Sequence, residues 1–431
     1  MSVADEAATI AGPAEPARPK RRQAAFGFIF ASSVMNAISF GLMIPVLPAL
    51  IRSFYGATSN ASTAAAADWQ FVFSLAWGAM QFISGPVLGM LSDRYGRRPV
   101  MLISILGLSL DFLVMAFAPT LAWLLVGRVL SGATAASFST ANAYVADIST
   151  PLTRARNFGW MGAAFSIGFL FGPWFGAALT THALQLGPFT IDGLRIPFMV
   201  AAGLCAVNWF YGLFVLPESL PLERRIARFD WRRANPVASL VLLRSHRDLV
   251  PLATINFMNQ LSQQVLPGIF VLYTQLRFHW SQSFLGFTFL ITGALGVFVQ
   301  FFVVGPVVKR IGERGAVIAG AEFGAAGFAI YAFADDQWVY FVGMPVFALM
   351  GLMVPGLQGL MTQRVSGQEQ GRLQGANQST NGIASILGPV FPLIFAFTLR
   401  NVPGFPGLPI LLAAIILGVA AILAIFFARR K

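Results

Sequence analysis

Cysteine, histidine and charge are all scarce in this chain of 431 residues. It has one cysteine and three histidines, and Asp, Glu, Lys and Arg together make up 11% of it. A single cysteine, Cys205, excludes a disulfide framework, and His182, His246 and His279 show no metal-ligand spacing, so no metal site is expected. Nothing in the chain assembles a nucleophile with an acid–base partner, which sets an enzyme aside. Soluble domains carry about 25% charged residues, so the low charge excludes an ordinary water-soluble globule. No cleavable leader is expected either. Residues 1–25, rich in Ala and Pro and ending in Lys20, Arg21 and Arg22, lack the short apolar core of a signal and are expected to form a disordered cytoplasmic arm.

What the chain has in quantity is apolar sequence, 56% of its residues. Apolar runs fall at 26–50, 69–90, 99–118, 120–146, 156–180, 196–216, 249–275, 283–306, 314–334, 337–361, 373–398 and 405–428. Each is near the ~20 residues that carry a helix across ~30 Å of hydrocarbon. Continuous runs, rather than alternation, select helices over a barrel. The expected fold is therefore an all-α membrane protein with twelve transmembrane helices. Bases crowd one side: Arg18 to Arg22, Arg94 to Arg98, Arg154, Arg156, Arg224 to Arg247, Lys309, Arg310, Arg314, Arg364, Arg372 and the terminal Arg429, Arg430 and Lys431. Only Arg52, Arg195, Arg277 and Arg400 fall on the other side. This positive-inside pattern places both termini in the cytoplasm of a cell whose inner (plasma) membrane the chain crosses many times. The net charge of +12 then serves orientation and contact with anionic lipid. Nucleic acid is set aside, because the bases are spread over many loops.

The basic segment 217–248 divides the chain into a first bundle, 26–216, and a second, 249–431. The two resemble each other at a constant offset of 216 residues. Gly89, Arg94, Gly96 and Arg98 map onto Gly305, Arg310, Gly312 and Arg314; Arg156 and Gly159 onto Arg372 and Gly375; Gly172 and Pro173 onto Gly388 and Pro389. Six spans per half keep the same topology in both, the parallel repeat of a two-bundle transporter.

The stretch "GMLSDRYGRRPVML" (89–102) places Asp93, Arg94, Arg97 and Arg98 between two apolar runs. Gly85, Gly89 and Gly96 permit close helix approach and a tight turn. Arginines alone would make an orientation signal, but that leaves Asp93 and the glycine spacing unexplained. "GMLSDRYGRR" resembles the G-x-x-x-D-R-x-G-R-R loop of the major facilitator superfamily. "GFLFGPWFG" (168–176), with Gly168, Gly172, Pro173 and Gly176, is similar to the helix-packing motif of span five in its antiporters. "LLVGRVLSGATAA" (124–136) looks like the span-four motif with a membrane arginine. "GLMIPVLPAL", "AYVADIST", "RFHW" and "ILGP" resemble the tetracycline–proton antiporter branch, and the likeness runs from about residue 27 to about residue 400. The resemblance implies two pseudo-symmetric six-helix bundles latched in the outward-facing state. Asp93 would meet the amino end of span eleven, and Arg94 or Arg97 would meet Asp147.

Asp111, Arg128 and Glu322 fall within spans, where ionisable groups cost roughly 2.5–3.5 kcal/mol at a helix centre and mark function by default. Asp111 and Arg128 lie ~10 Å and ~12 Å from the same membrane surface at 1.5 Å per residue, so they are candidates for a pair. That pair is either a permanent structural ion pair or a proton relay. The antiporters carry an aspartate at the position of Asp111, which supports the relay. Glu322, flanked by Gly320, Ala321 and Gly324, is expected on a packed or cavity-facing stripe. Where the antiporters carry a span-one aspartate, this chain has Asn36.

Ser32, Asn36 and Ser39 share a face of span one, and Asn256, Gln260, Gln263 and Gln264 a face of span seven. In the superfamily spans one, four, seven and ten line the cavity, so both stripes are expected to meet substrate. Phe73, Trp77 and Gln81 of span two would add an aromatic wall. The alternative is polar glue between helices, worth ~0.6 kcal/mol per contact, and for "NQSTN" (377–381) glue is the reading adopted. Amides beside aromatics suit an amphipathic, drug-like substrate. The resemblance implies that it could arrive as a divalent-metal chelate. The expected activity is proton-driven export by alternating access, with no cofactor besides the proton gradient, in a monomer surrounded by lipid. An uptake symporter on the same fold, and a non-transporting receptor, are the alternatives.

Overall fold

The computed structural model describes residues 20–56, 58–135, 137–149, 151–181, 183–186, 189–225, 248–366, 369–402 and 404–427. The expected arm is outside this set up to residue 19, as is most of the expected linker, 226–247. The first helix begins at Lys20, so the last residues assigned to the arm are helical.

The first half contains α1 (Lys20–Met43), α2 (Leu47–Ser53), α3 (Asn60–Tyr95), α4 (Arg97–Phe117), α5 (Leu121–Ala133), α6 (Ser137–Ile148) and α7 (Pro151–Leu179). A hairpin of β1 (Leu184–Leu186) and β2 (Phe189–Ile191), paired antiparallel with Leu184 opposite Ile191, leads to α8 (Ile196–Val215). The second half contains α9 (Leu249–Gln263), α10 (Val265–Arg277), α11 (Gln282–Phe298), α12 (Val304–Phe333), α13 (Gln337–Ala348), α14 (Met353–Thr362), α15 (Gln370–Leu387), α16 (Val390–Asn401) and α17 (Leu408–Phe427). Among the described residues, nine helical segments are long and apolar enough to cross a bilayer. One of them, Gln282–Phe333, runs 52 residues and turns at Gly312, whose φ is 73°. Large apolar side chains such as Phe214, Phe301 and Trp338 face outward, as a lipid-bathed surface requires.

Local chemistry sets the breaks. Ser59 and Ser62 form a reciprocal capping box that starts α3. Pro48 follows the break between α1 and α2, and Pro389 the break between α15 and α16, because proline supplies no N–H to the preceding turn. Gly96, at φ 109°, turns α3 into α4, a conformation that glycine adopts without strain. Its repeat partner Gly312 also has positive φ, so the 216-residue offset is a geometric repeat. Arg98 Nη2 donates to the Leu213 carbonyl at the end of α8, and Arg314 Nη2 to the Ile425 carbonyl near the end of α17. Arg97–Asp147 in the first half has its counterpart in Glu313–Gln363 in the second.

Glycines govern the closest approaches. A Cβ on Gly168 would lie 2.1 Å from the Ala37 Cβ, one on Gly172 would lie 2.7 Å from the Gly41 Cα, and one on Gly176 would lie 2.3 Å from the Leu42 carbonyl oxygen. The span-five motif is thus the seat of α1 on α7. Between halves, a Cβ on Gly286 would stand 2.6 Å from the Ala177 Cβ, and one on Gly293 would stand 2.6 Å from the Leu170 side chain. Asp68 and Arg400 form an ion pair across the same end. At the opposite end Gly85, Gly89, Gly159 and Gly162 would meet nothing within 4 Å. The halves are in contact at the Asp68 end and across the middle, and none of these four glycines joins that contact. Gly89 is therefore not a point of close approach in this conformation.

Candidate functional site: a cavity backed by a buried ion pair

α3, α7 and the breaks in the α1–α2, α9–α10 and α15–α16 segments enclose a cavity of about 450 Å³ between the halves, well within the size range of drug-binding sites. Its wall is mostly apolar, with Phe40, Phe73, Trp77, Phe165 and Phe169 as rings and Gln70, Ser74, Gln81, Gln264, Asn381 and Ser385 as neutral polar groups. Gln264 Nε2 donates to Ser385 Oγ at 3.1 Å, and Ser385 Oγ donates to the Asn381 carbonyl at 3.0 Å. Arg128 is the one ionised side chain among the described wall residues.

Behind it stands Asp111. Arg128 Nη2 donates to Asp111 Oδ2 at 2.7 Å and to Ser131 Oγ at 3.1 Å. Both partners are buried: Asp111 is 0% exposed and Arg128 4%. Gly127 lets α5 press onto α4, since a Cβ there would come within 2.7 Å of Asp111 Oδ1. Asp111 Oδ1 and Arg128 Nε have no hydrogen-bond partner among the described residues. Half-satisfied buried polar groups of this kind are rare and ask for an explanation. The sequence placed these two residues at one depth, and the fold brings them into contact. The guanidinium lies between the carboxylate and the cavity, so Asp111 is masked from any ligand while the pair is closed.

Other sequence candidates fall elsewhere. Asn36 is buried and accepts a hydrogen bond from Asn208 Nδ2 of α8 at 3.2 Å, off the cavity wall. Ser32 and Ser39 are buried on the same packed face. That face needed a polar neighbour inside the first bundle, and Asn208 supplies it. Asn256 and Gln260 do not line the cavity either, whereas Gln264, at the break, does. Asn381, expected as packing glue, is on the wall, and the wall takes in span eleven rather than span ten. Glu322 is exposed. Its small neighbours Gly320 and Gly324 pack on Met353 and Leu417, so the carboxylate lies on the outer face of α12 instead of a cavity stripe. Gln70 and Ser74 are further wall residues. With Trp77 and Gln81 they recur at helical spacing, a polar stripe legible in the sequence.

The Asp93 loop is a separate polar cluster. Arg97 Nη1 pairs with Asp93 Oδ1 at 2.5 Å and donates to Ser92 Oγ at 2.6 Å, while its Nε pairs with Asp147 Oδ2 at 3.1 Å. Of the two arginines proposed for Asp147, Arg97 is the one that reaches it. Arg94 lies over the Tyr95 ring at 5.2 Å. Asp93 pairs with Arg97 rather than with the start of α15. Glu218, which no sequence pattern marks, organises this cluster. Its carboxylate accepts from the backbone N–H of Arg97 (2.8 Å) and Arg98 (3.2 Å) at the start of α4, and from those of Ser219 and Leu220 (both 3.0 Å). Ser219 Oγ donates to Asp147, and Tyr144 OH donates to the Pro217 carbonyl at 2.8 Å. A carboxylate at a helix amino end meets unsatisfied N–H groups and the favourable end of the dipole. Hydrogen bonds to charged groups contribute about 1.5–3 kcal/mol when shielded. Glu218 is 25% exposed, so Glu218→Ala is expected to cost about 1–2 kcal/mol, read as a lowered thermal midpoint, with Glu218→Gln recovering part of it.

The chain matches the Major Facilitator Superfamily over residues 29–389 and 252–431. It is 36% identical to the tetracycline resistance protein, class C, of Escherichia coli, covering 84% of this chain and 87% of that protein. It is 33% identical to the class B protein of the same organism, covering 85% and 87%. Among solved structures it is similar to a bacterial homolog of the human lysosomal transporter Spinster in an inward-facing, unoccupied conformation (TM-score 0.77, 14% identity, 96% of this chain and 98% of that one). It is also similar to the human organic anion transporter MFSD10 (TM-score 0.66, 23% identity, 94% and 99%). At those identities the structural likeness carries the fold alone. Fold, family match and related sequences agree: this multi-pass membrane protein belongs to the Major Facilitator Superfamily and, within it, to the family of the tetracycline resistance proteins.

Proposed function

We propose that the protein exports amphipathic, drug-like compounds across the inner membrane in exchange for protons, by alternating access, with twelve spans and both termini in the cytoplasm. The twelve-span count treats the bend at Gly312 as the division of one long segment and takes α5–α6 and α9–α10 as one broken span each. The observation that carries the proposal is the Asp111–Arg128 pair, fully buried and set against a cavity between two bundles. A proton on Asp111 cancels the attraction that holds Arg128 back from the cavity. The pair thus links protonation to the shape and charge of the wall, and through it to the balance between two openings. The names of the related resistance proteins support drug efflux as the direction.

Reconstituted vesicles under an imposed proton gradient test this. Adding tetracycline, or another amphipathic drug from a panel, should release a proton flux, and Asp111→Asn should reduce that flux to the level of protein-free vesicles while drug binding persists. Flux unchanged in Asp111→Asn removes Asp111 from coupling, and drug moving in the direction of the protons identifies uptake instead of export.

A further inference from the structure

Glu322 of α12 is an acid that its own chain leaves alone. The side of α12 turned inward carries Ala316, Gly320, Gly324, Gly327 and Phe328, all buried. At about 3.6 residues per turn Glu322 stands on the opposite side, and it is exposed. Among the described residues no hydrogen bond or ion pair reaches its carboxylate. It lies ~12 Å along the helix from Arg314 and ~16 Å from Phe333, at about 1.5 Å per residue. A glutamate side chain is too short to carry its head group from there to either membrane surface. Acids at such depth face a protein interior or pair with another polar group, and within one copy of the chain Glu322 does neither. The rest of that side suits close approach of another helix. Ala319, Ala326 and Ala329 share it with Glu322, and Ala326 is exposed. The helices packed against α12, α13 and α17, turn bulkier groups outward, among them Val342, Ile415 and Ile422. Small residues let two backbones come together in lipid, and a polar side chain among them then hydrogen-bonds across the contact. A lipid head group stays near the surface and does not come to this depth. A second copy does: a two-fold axis along the membrane normal sets each residue against its own counterpart, and two carboxyl groups that share a proton satisfy each other.

We propose that the lipid-facing side of α12 docks a second copy of this chain, joined at Glu322 by a proton shared between two carboxyl groups and at Ala319 and Ala326 by close backbone contact. A parallel dimer then takes the place of the monomer expected from the sequence. Full-length purified protein returned to lipid bilayers tests this in two ways. In a Cys205→Ser background, Ala319→Cys and Ala326→Cys should cross-link into dimers under mild oxidation, while Phe214→Cys, on the exposed side of α8, should not. Energy transfer between labelled copies, followed as lipid is added, should show association weakened at least about tenfold in Glu322→Leu. Glu322→Gln should fall between, because paired amides also hydrogen-bond. Ala326→Leu, which adds bulk and keeps the carboxyl group, should weaken association as well, and a wild-type thermal midpoint for each variant separates lost association from lost folding. Absence of cross-linked dimer at both α12 positions, cross-linking as strong at Phe214→Cys, or association unmoved in Glu322→Leu and Ala326→Leu overturns the proposal. So does a monomer carrying a phospholipid that Glu322→Leu releases, which would make lipid the occupant. Drug-evoked proton flux lost in Glu322→Gln with association intact would assign the carboxyl group to coupling instead.

Discussion

Arg128→Ala is expected to destabilise the protein by about 3–5 kcal/mol, the cost of stranding one member of a buried ion pair. Asp111, with no exposed surface, would lose the Nη2 donor that now holds it at 2.7 Å and must either stay charged without a counter-ion or hold a proton in a buried site. Ser131, held by the same nitrogen, would lose its partner as well. The measurement is resistance to thermal or detergent unfolding, with Asp111→Asn/Arg128→Ala as the diagnostic double variant. Removing the charge along with its counter-ion should restore most of the loss, since a buried ion pair replaced by neutral groups is often near neutral in energy. A double variant as unstable as Arg128→Ala would show that the arginine acts through packing of its stem, not through its charge. Arg128→Lys should fall between, because an ammonium carries the charge but cannot span Asp111 and Ser131 from one planar fork.

The second large effect lies at the seat of α1 on α7. Gly172→Val puts its first added carbon 2.7 Å from the Gly41 Cα and 2.9 Å from the Ile38 carbonyl oxygen. Neither is the mobile end of a side chain, so two helix backbones must separate. Overpacking of this kind costs about 1–3 kcal/mol where neighbours can yield, and a backbone clash stands at the top of that range. Gly168→Val should behave alike. The control is Gly203→Val on α8, where an added Cβ meets nothing within 4 Å, leaving only the difference between Gly and Val in helix preference, under about 1 kcal/mol. Recovery of folded, monodisperse protein should drop sharply for the first two variants and little for the third. Equal losses in all three would remove contact between the two helices as the cause.

Much of the fold was legible because lipid imposes a simple grammar. Apolar runs marked the spans, and the 216-residue offset announced a repeat whose two hinge glycines, Gly96 and Gly312, indeed share positive φ. Depth made Asp111 and Arg128 candidates for a pair, since two helices joined by a short turn bring equal depths together, and the packing of α5 on α4 turns the two faces toward each other. Facing was harder to read. A stripe of Ser32, Asn36 and Ser39 is polar whether it meets water or a neighbouring asparagine, and only the packing of α1 on α8 decides between them. Glu322 misled for a related reason: small neighbours do indicate tight packing, but they lie on the opposite face of the same helix. Glu218 was invisible because its role depends on the chain returning, 121 residues later, to the start of α4.

The closed end of the molecule is a fit of shapes more than a meeting of charges. Gly286 and Gly293 lie against α7, while Asp68–Arg400, which joins the two halves there, is half open to solvent and worth little by itself. Parting these surfaces breaks no strong bond. The bundles can therefore rock on small, local forces, and the barrier between the two openings is left to whatever sits in the middle: a ring system, a proton, or neither.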